Sequence, residues 1–353
     1  MEFFKDSFDY IIMDTAPLLS VSDTLQLLGY SDVKCVVVRH EKSKISEIKQ
    51  ILGLEHGKIY NNDLVKSKLR YGKVLFMTDQ HLEGTHIKGL CLNLFQSQWY
   101  TLSKIPEFIG FMNTPILKAT KNNVVKVFYN EGEYELWKSQ NEEEAKGWKI
   151  KYFKGLGTST AKEFKEYFAE KKFVYFKHDG GSCDNAIDMA FNKKRADDRK
   201  DWLGEYDPDA VLNPDNDSVS FEAFINNELI HFSKYDCDRS IPNVMDGNKI
   251  STRKILFAAF KRNLVNEIKV AQFAGYTSEH SAYHHGEKSL VEAIVNMAQE
   301  YVGSNNINTL LPLGQFGTRL KGGKDHASER YIFTKLNPIT KYIYHSEDLP
   351  VLN

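Results

Sequence analysis

The stretch TRLKGGKDHASERYIFTKL (318–336) places three cations, Arg319, Lys321 and Lys324, around the glycine pair Gly322-Gly323, ahead of the dipeptide Arg330-Tyr331. Glycines let a backbone approach a phosphate closely, and cations neutralise it. A phenol beside a guanidinium can act as a nucleophile when the charge it develops is stabilised nearby. Taken alone, the same residues read more readily as a strand tyrosine, half-buried beside a surface arginine.

A second constellation lies in LRYGKVLFMTDQHLEGTHIKGL (69–90). Asp79, His81 and Glu83 stand at alternate positions after an apolar run and before Gly84. Carboxylates spaced in this way after a buried strand point into one loop and can hold Mg2+ through oxygen. His81 is a softer nitrogen ligand, better suited to zinc or manganese.

These residues need elements to carry them. KVLFMTD predicts a buried strand ending at Asp79, followed by a short polar loop and the helix HIKGLCLNLFQSQW. ISEIKQILGL predicts a helix with Ile45, Ile48, Ile51 and Leu52 on one face. The run Tyr10–Met13 ending at Asp14, with CVVV (35–38), gives an α/β pattern at the start. YNEGEYELWKSQNEEEAKGWK reads as solvated hairpins and turns, NKKRADDRKDWL as a strongly charged helix, and NPDNDS (213–218) as a linker. Beyond it lies a mostly helical region, closed by the basic glycine loop and the strand-like RYIFTKL.

The chain has 353 residues, 42% hydrophobic and 26% charged, enough for two or three domains with real cores. No apolar run of membrane-spanning length and no signal-peptide layout occurs, so the sequence predicts an intracellular protein. Cys35, Cys91, Cys183 and Cys237 lack metal or redox spacing and read as free thiols. The net charge of −1 argues mildly against a polyanion partner, so local clusters must carry any such claim.

Three stretches precede the tyrosine in one order: SIPNVMDGNKISTRKILFAAFKRNL, KVAQFAGYTSEHSAYHHGEKSLVEAIVNMAQ and VGSNNINTLLPLGQFGTR. From about Ile45 to the end, the chain resembles the breakage-reunion core of eukaryotic and viral type IIA DNA topoisomerases. The resemblance implies that Tyr331, closing DHASERY, is the covalent nucleophile flanked by Arg330. It implies that Arg253 and His285 help hold the scissile phosphate. Lys254, Lys261, Arg262, Lys154 (in KYFKGLGTSTAKEF), Arg319 and Lys324 would be DNA contacts, and Asp79, His81 and Glu83 metal ligands for Mg2+, with Mn2+ as an alternative. The implied partners are double-stranded DNA and a second copy in a homodimer, with no membrane. The implied location is the nucleus or a site of viral DNA replication.

The implied fold class is α/β plus mainly α. Residues 44–176 would form a TOPRIM-like domain, 177–235 a linking region, 236–345 a winged-helix cleavage domain and 346–353 the start of a truncated tower. Two departures stand out. The family pattern Asp-x-Asp-x-Asp-Gly keeps only its first aspartate here, with Glu83 in place of the third, and the family's opening Glu-Gly-Asp-Ser is missing. In its place residues 1–43 resemble the Walker B region of bacterial tyrosine autokinases, without any GxxxxGK[ST] loop to cradle a nucleotide. The strand ending at Asp14 could instead patch the incomplete sheet. Weak or absent cleavage is therefore expected, with a catalytically idle DNA-binding or dimerisation piece as the alternative. In this family ATP serves strand passage and binds outside the segment seen here.

Overall fold

The computed structural model describes residues 10–14, 42–122, 124–129, 131–141, 147–153, 158–170, 172–213, 216–283, 286–345, 347 and 349–352. The chain divides into two units, 1–235 and 236–353. His284, His285, Lys154 and the CVVV segment lie outside the described residues.

The strands of the first unit are β1 Tyr10–Asp14, β2 Lys73–Met77, β3 Ile109–Met112, β4 Leu117–Lys121, β5 Val124–Phe128, β6 Lys149–Tyr152, β7 Phe173–Lys177 and β8 Ser218–Ser220. Five of them form one sheet in the order β1-β2-β3-β7-β8. Val74–Met77 of β2 are apolar because β2 is an interior strand, parallel to both β1 and β3. Strand β1 runs beside it with Tyr10 opposite Lys73 and Asp14 opposite Met77, filling the edge that the sequence left open. Val74, Phe76, Phe95, Phe108, Phe176, Phe221 and Phe224 are among the side chains of its core.

A smaller antiparallel sheet, β5-β4-β6, packs Ala119 and Phe128 against Trp137 and Trp148. Trp137 sits on the helix Glu131–Gln140, where the sequence reads as hairpins and turns. Residues 177–235 are likewise not a linking region. They hold the helix Gly181–Phe191, strand β8 paired parallel to β7, and buried Phe221, Phe224 and Leu229, all within the first unit. NPDNDS lies just before and into β8, not between the units.

The second unit contains β9 Ile268–Lys269, β10 Leu310–Leu313 and β11 Phe333–Leu336, an antiparallel sheet in the order β10-β11-β9. Its helices include α1 Ile250–Lys261, α2 Val270–His280 and α3 Glu287–Ala298. Each buries an apolar stripe, among them Ile255, Leu256, Phe273, Leu290 and Ile294. Leu352 is buried in the same core, so residues 349–352 close this unit as a short helix.

Candidate functional site

Tyr331 is the last residue of a turn entering β11, and its N–H donates to the Ser328 carbonyl at 2.9 Å. Tyr331, still in the turn, is 77% exposed, whereas Ile332 next to it is 1% exposed. The half-buried strand tyrosine that the local sequence allowed is therefore not what forms. Arg330 is exposed beside it, as are Arg319 and Lys324 on the preceding loop.

That loop is stitched at its base. The Gln299 side chain is 4% exposed, and its Nε2 donates to the carbonyls of Phe316 at 2.9 Å and Gly323 at 3.1 Å. The Asp325 carboxylate accepts from Thr318 N–H at 2.8 Å and Thr318 Oγ1 at 2.7 Å. These two bonds hold the Asp325 carboxyl below its ordinary range, with a smaller contribution from Lys321. Gly323 has φ +77, and a Cβ there would lie 2.2 Å from Gln299 Nε2, so both conformation and space demand glycine.

Arg253 projects from the first turn of α1 into a bidentate ion pair. Its Nε donates to Asp246 Oδ2 at 2.9 Å and its Nη2 to Oδ1 at 3.0 Å. Burial is the largest single influence on Asp246 and pushes its carboxyl up, but the Asn248 N–H and the Arg253 guanidinium together bring it below the ordinary range. Lys254 donates to the Ala282 carbonyl at 3.0 Å, and burial lowers its pKa. Lys261 and Arg262 are exposed at the end of α1, 5.4 Å from the Phe257 ring centre and 4.8 Å from that of Tyr276.

In the first unit, Asp79 follows β2, His81 stands just before the helix Leu82–Gln98 without a side-chain cap bond to it, and Glu83 falls in that helix's first turn. Gly84 lets the helix start against the strand exit: a Cβ there would sit 1.7 Å from the Asp79 carbonyl oxygen. Alternate spacing aligns side chains only while the chain is extended, and helix begins at Leu82, so the alternation does not carry through to Glu83. The His81 ring lies 5.8 Å from that of Tyr152. Among the described residues no three His, Cys, Asp or Glu side chains converge to hold a metal ion. The structure thus does not bring Asp79, His81 and Glu83 together as a three-ligand group. Nearby, Lys88 is fully buried, its ammonium 4.3 Å from the Phe111 ring centre and 3.5 Å from Gln80 Oε1, and burial lowers its pKa to about 8.

In KYFKGLGTSTAKEF, the described residues before 154 and after 157 are joined to one another. Lys151 Nζ donates to both Glu163 carboxylate oxygens at 2.8 Å. Glu163 also accepts from Thr160 N–H at 2.7 Å, and its own N–H donates back to Thr160 Oγ1 at 3.3 Å, a capping box for the helix Ala161–Glu170. In NKKRADDRKDWL, Arg195 pairs with Asp198 and with Asp188 of the preceding helix, and Lys200 with Asp197.

Sequence reasoning missed Asp246, Gln299, Thr318 and Asp325. The Thr-x-x-Glu of the capping box and the Asp-Gly turn before Arg253 were local signals. The role of Gln299 was not, because its partners lie 17 and 24 residues away.

Comparison with known proteins follows the same division. A family model for the C-terminal associated domain of TOPRIM matches residues 112–237, and one for the A subunit of DNA gyrase/topoisomerase IV matches residues 239–353. The chain is 49% identical to the probable DNA topoisomerase 2 of Dictyostelium discoideum over 93% of its length, and 49% identical to DNA topoisomerase 2 of Arabidopsis thaliana over 92%. It spans about a fifth of those relatives, 21% and 22% respectively. A crystal structure of the Plasmodium falciparum topoisomerase II DNA-binding, cleavage and re-ligation domain superposes with a TM-score of 0.72 at 46% identity, covering 92% of this chain and 44% of that one. Through both halves of its sequence and its fold, the chain belongs to the breakage-reunion core of the type IIA DNA topoisomerases.

Proposed function

We propose that this chain binds double-stranded DNA as a homodimer and cleaves its backbone through Tyr331, by transient double-strand cleavage and religation. The observation that carries the proposal is a 77% exposed phenol on a turn beside exposed cations. In this reading the first unit is a TOPRIM-type domain whose edge strand is β1, and the second is a winged helix.

Tyr331 Oη attacks a backbone phosphorus, forming the tyrosyl–phosphorus bond as the bond to the 3′ oxygen breaks. The phenol gives up its proton and the departing 3′ oxygen gains one. A 5′-phosphotyrosyl link and a 3′-hydroxyl result, and religation is the reverse attack. The ester conserves the bond, so neither step consumes ATP; nucleotide use belongs to the full-length relatives. Arg330, His285 and the N–H groups of Arg253 not engaged by Asp246 would stabilise charge on the non-bridging oxygens. Lys254, Lys261, Arg262, Lys154, Arg319 and Lys324 would neutralise phosphates, and the ion pair with Asp246 would aim Arg253.

Type IIA cleavage generally employs Mg2+. Asp79 and Glu83 would offer it two carboxylates, but with His81 turned toward Tyr152 the donors do not make a site that fits the ion unaided. Cleavage by this chain is accordingly impaired. An intracellular, DNA-associated location follows from the same reading. Among the described residues no helix is long and apolar enough to cross a membrane.

The test is incubation with supercoiled plasmid and Mg2+ or Mn2+, trapping with detergent, and comparison with Tyr331→Phe. Protein–DNA adducts that vanish in the variant support the proposal. Adducts that persist in it overturn the assignment. Duplex binding with no adduct in either protein favours the second reading, an idle DNA-binding module, which the unconverged acids favour.

A further inference from the structure

Leu320 is 94% exposed, the middle residue of a three-residue turn between Arg319 and Lys321. Single exposed leucines are ordinary on protein surfaces, but this one stands on a loop held from two sides. Its loop is fixed below by Gln299 and across by Asp325 and Thr318. The N–H groups of Lys321 and Gly323 both donate to the Thr318 carbonyl, at 3.2 and 2.9 Å. A Cβ on Gly317 would lie 2.5 Å from the Gly323 carbonyl oxygen, so the two arms of the loop already touch. The turn therefore holds an isobutyl group in water on a rigid mount.

The surroundings indicate what would cover it. Arg319, Lys321 and Lys324 are exposed on the same loop, and the one carboxylate within it, Asp325, is occupied by Thr318. The order cation, apolar group, cation in three consecutive residues matches the order phosphate, sugar, phosphate along one nucleic-acid strand.

We propose that Arg319 and Lys321 engage successive phosphates of a DNA strand and that Leu320 packs on the deoxyribose between them. This deepens the DNA-binding reading above and rests on it. Leu320 is then a contact whose contribution is apolar and independent of salt, set between two contacts whose contributions are electrostatic.

The experiment measures affinity of the full chain for a 30-base-pair duplex by fluorescence anisotropy across a KCl series, for wild type, Leu320→Ala and Lys321→Ala. Leu320 touches little of its own protein, so Leu320→Ala should leave the thermal midpoint unchanged, which a melt without DNA verifies. The expected result is a roughly fivefold loss of affinity in Leu320→Ala at every salt concentration, with the slope of log K on log[KCl] unchanged. Lys321→Ala should instead lower that slope by about one phosphate contact. Leu320→Ala binding as tightly as wild type, or weakening only through a changed slope, would overturn the inference. Failure of wild type to bind the duplex at all would instead sink the DNA-binding reading on which it rests.

Discussion

The turn after β2 and the loop before β11 both present charge from a tight backbone, but they are held by different means. The second is held by side chains, with Gln299 beneath it and Thr318 and Asp325 across it, so the groups above are fixed facing outward. The first is held by backbone proximity, with the helix start pressed onto the Asp79 carbonyl through Gly84. A turn shaped by main-chain contact keeps its form whatever the intervening side chains are. That is how Asp79, His81 and Glu83 can occupy an intact strand-to-helix turn without converging.

The sharpest way to break this contrast is Gly84→Ala. Its Cβ would meet backbone 1.7 Å away, so the main chain must move, and a loss of about 3 kcal/mol or more is expected in denaturant unfolding. An unchanged midpoint would show that the turn is not shaped by close approach. Next in size, Gln299→Leu removes both hydrogen bonds beneath the glycine loop and strands two carbonyls. It should cost about 2 kcal/mol and speed hydrogen exchange of the amides of residues 317–325, leaving the first unit's amides as they are.

The smallest effect belongs to the Lys151–Glu163 clamp and depends on pH. Burial is the largest influence on Glu163 and pushes its carboxyl up, but Lys151 and the N–H and hydroxyl of Thr160 outweigh it and bring it to about 2, from 4.5. A depressed carboxyl contributes stability that is fully present above pH 4.5 and lost as pH falls toward 2. Glu163→Gln should therefore cost about 1 kcal/mol at neutral pH and almost nothing at pH ~2. A cost that stays constant across that range would show that the clamp is not an ion pair in function.

Much of this was legible in the sequence where one local signal sufficed. KVLFM had to be an interior strand, and the Gly pair with its cations had to be an exposed loop. The helix Glu131–Gln140 is obscured by its charge and by the Asn and Gly flanking its start, although Tyr134 and Trp137 are spaced three apart on one face. NPDNDS is so turn-rich that residues 177–235 read as a linking region. The placing of β8 on the sheet edge depends on pairing with β7, which no local pattern announces. At the candidate site, the identity of Tyr331 rested on the long motifs before it. The ion pair that aims Arg253 and the glutamine that anchors the loop emerge only once segments distant in the chain are folded together.

The central claim is that the Tyr331 phenol is the group that DNA esterifies. The most direct measurement uses a duplex whose scissile 3′ oxygen is replaced by sulfur, a leaving group that needs neither proton nor metal, followed by protease digestion and mass spectrometry of the adduct. The account predicts a 5′-phosphodiester on Tyr331 and none in Tyr331→Phe. A covalent DNA adduct on any other residue, or no adduct from a protein that binds the duplex, would contradict it.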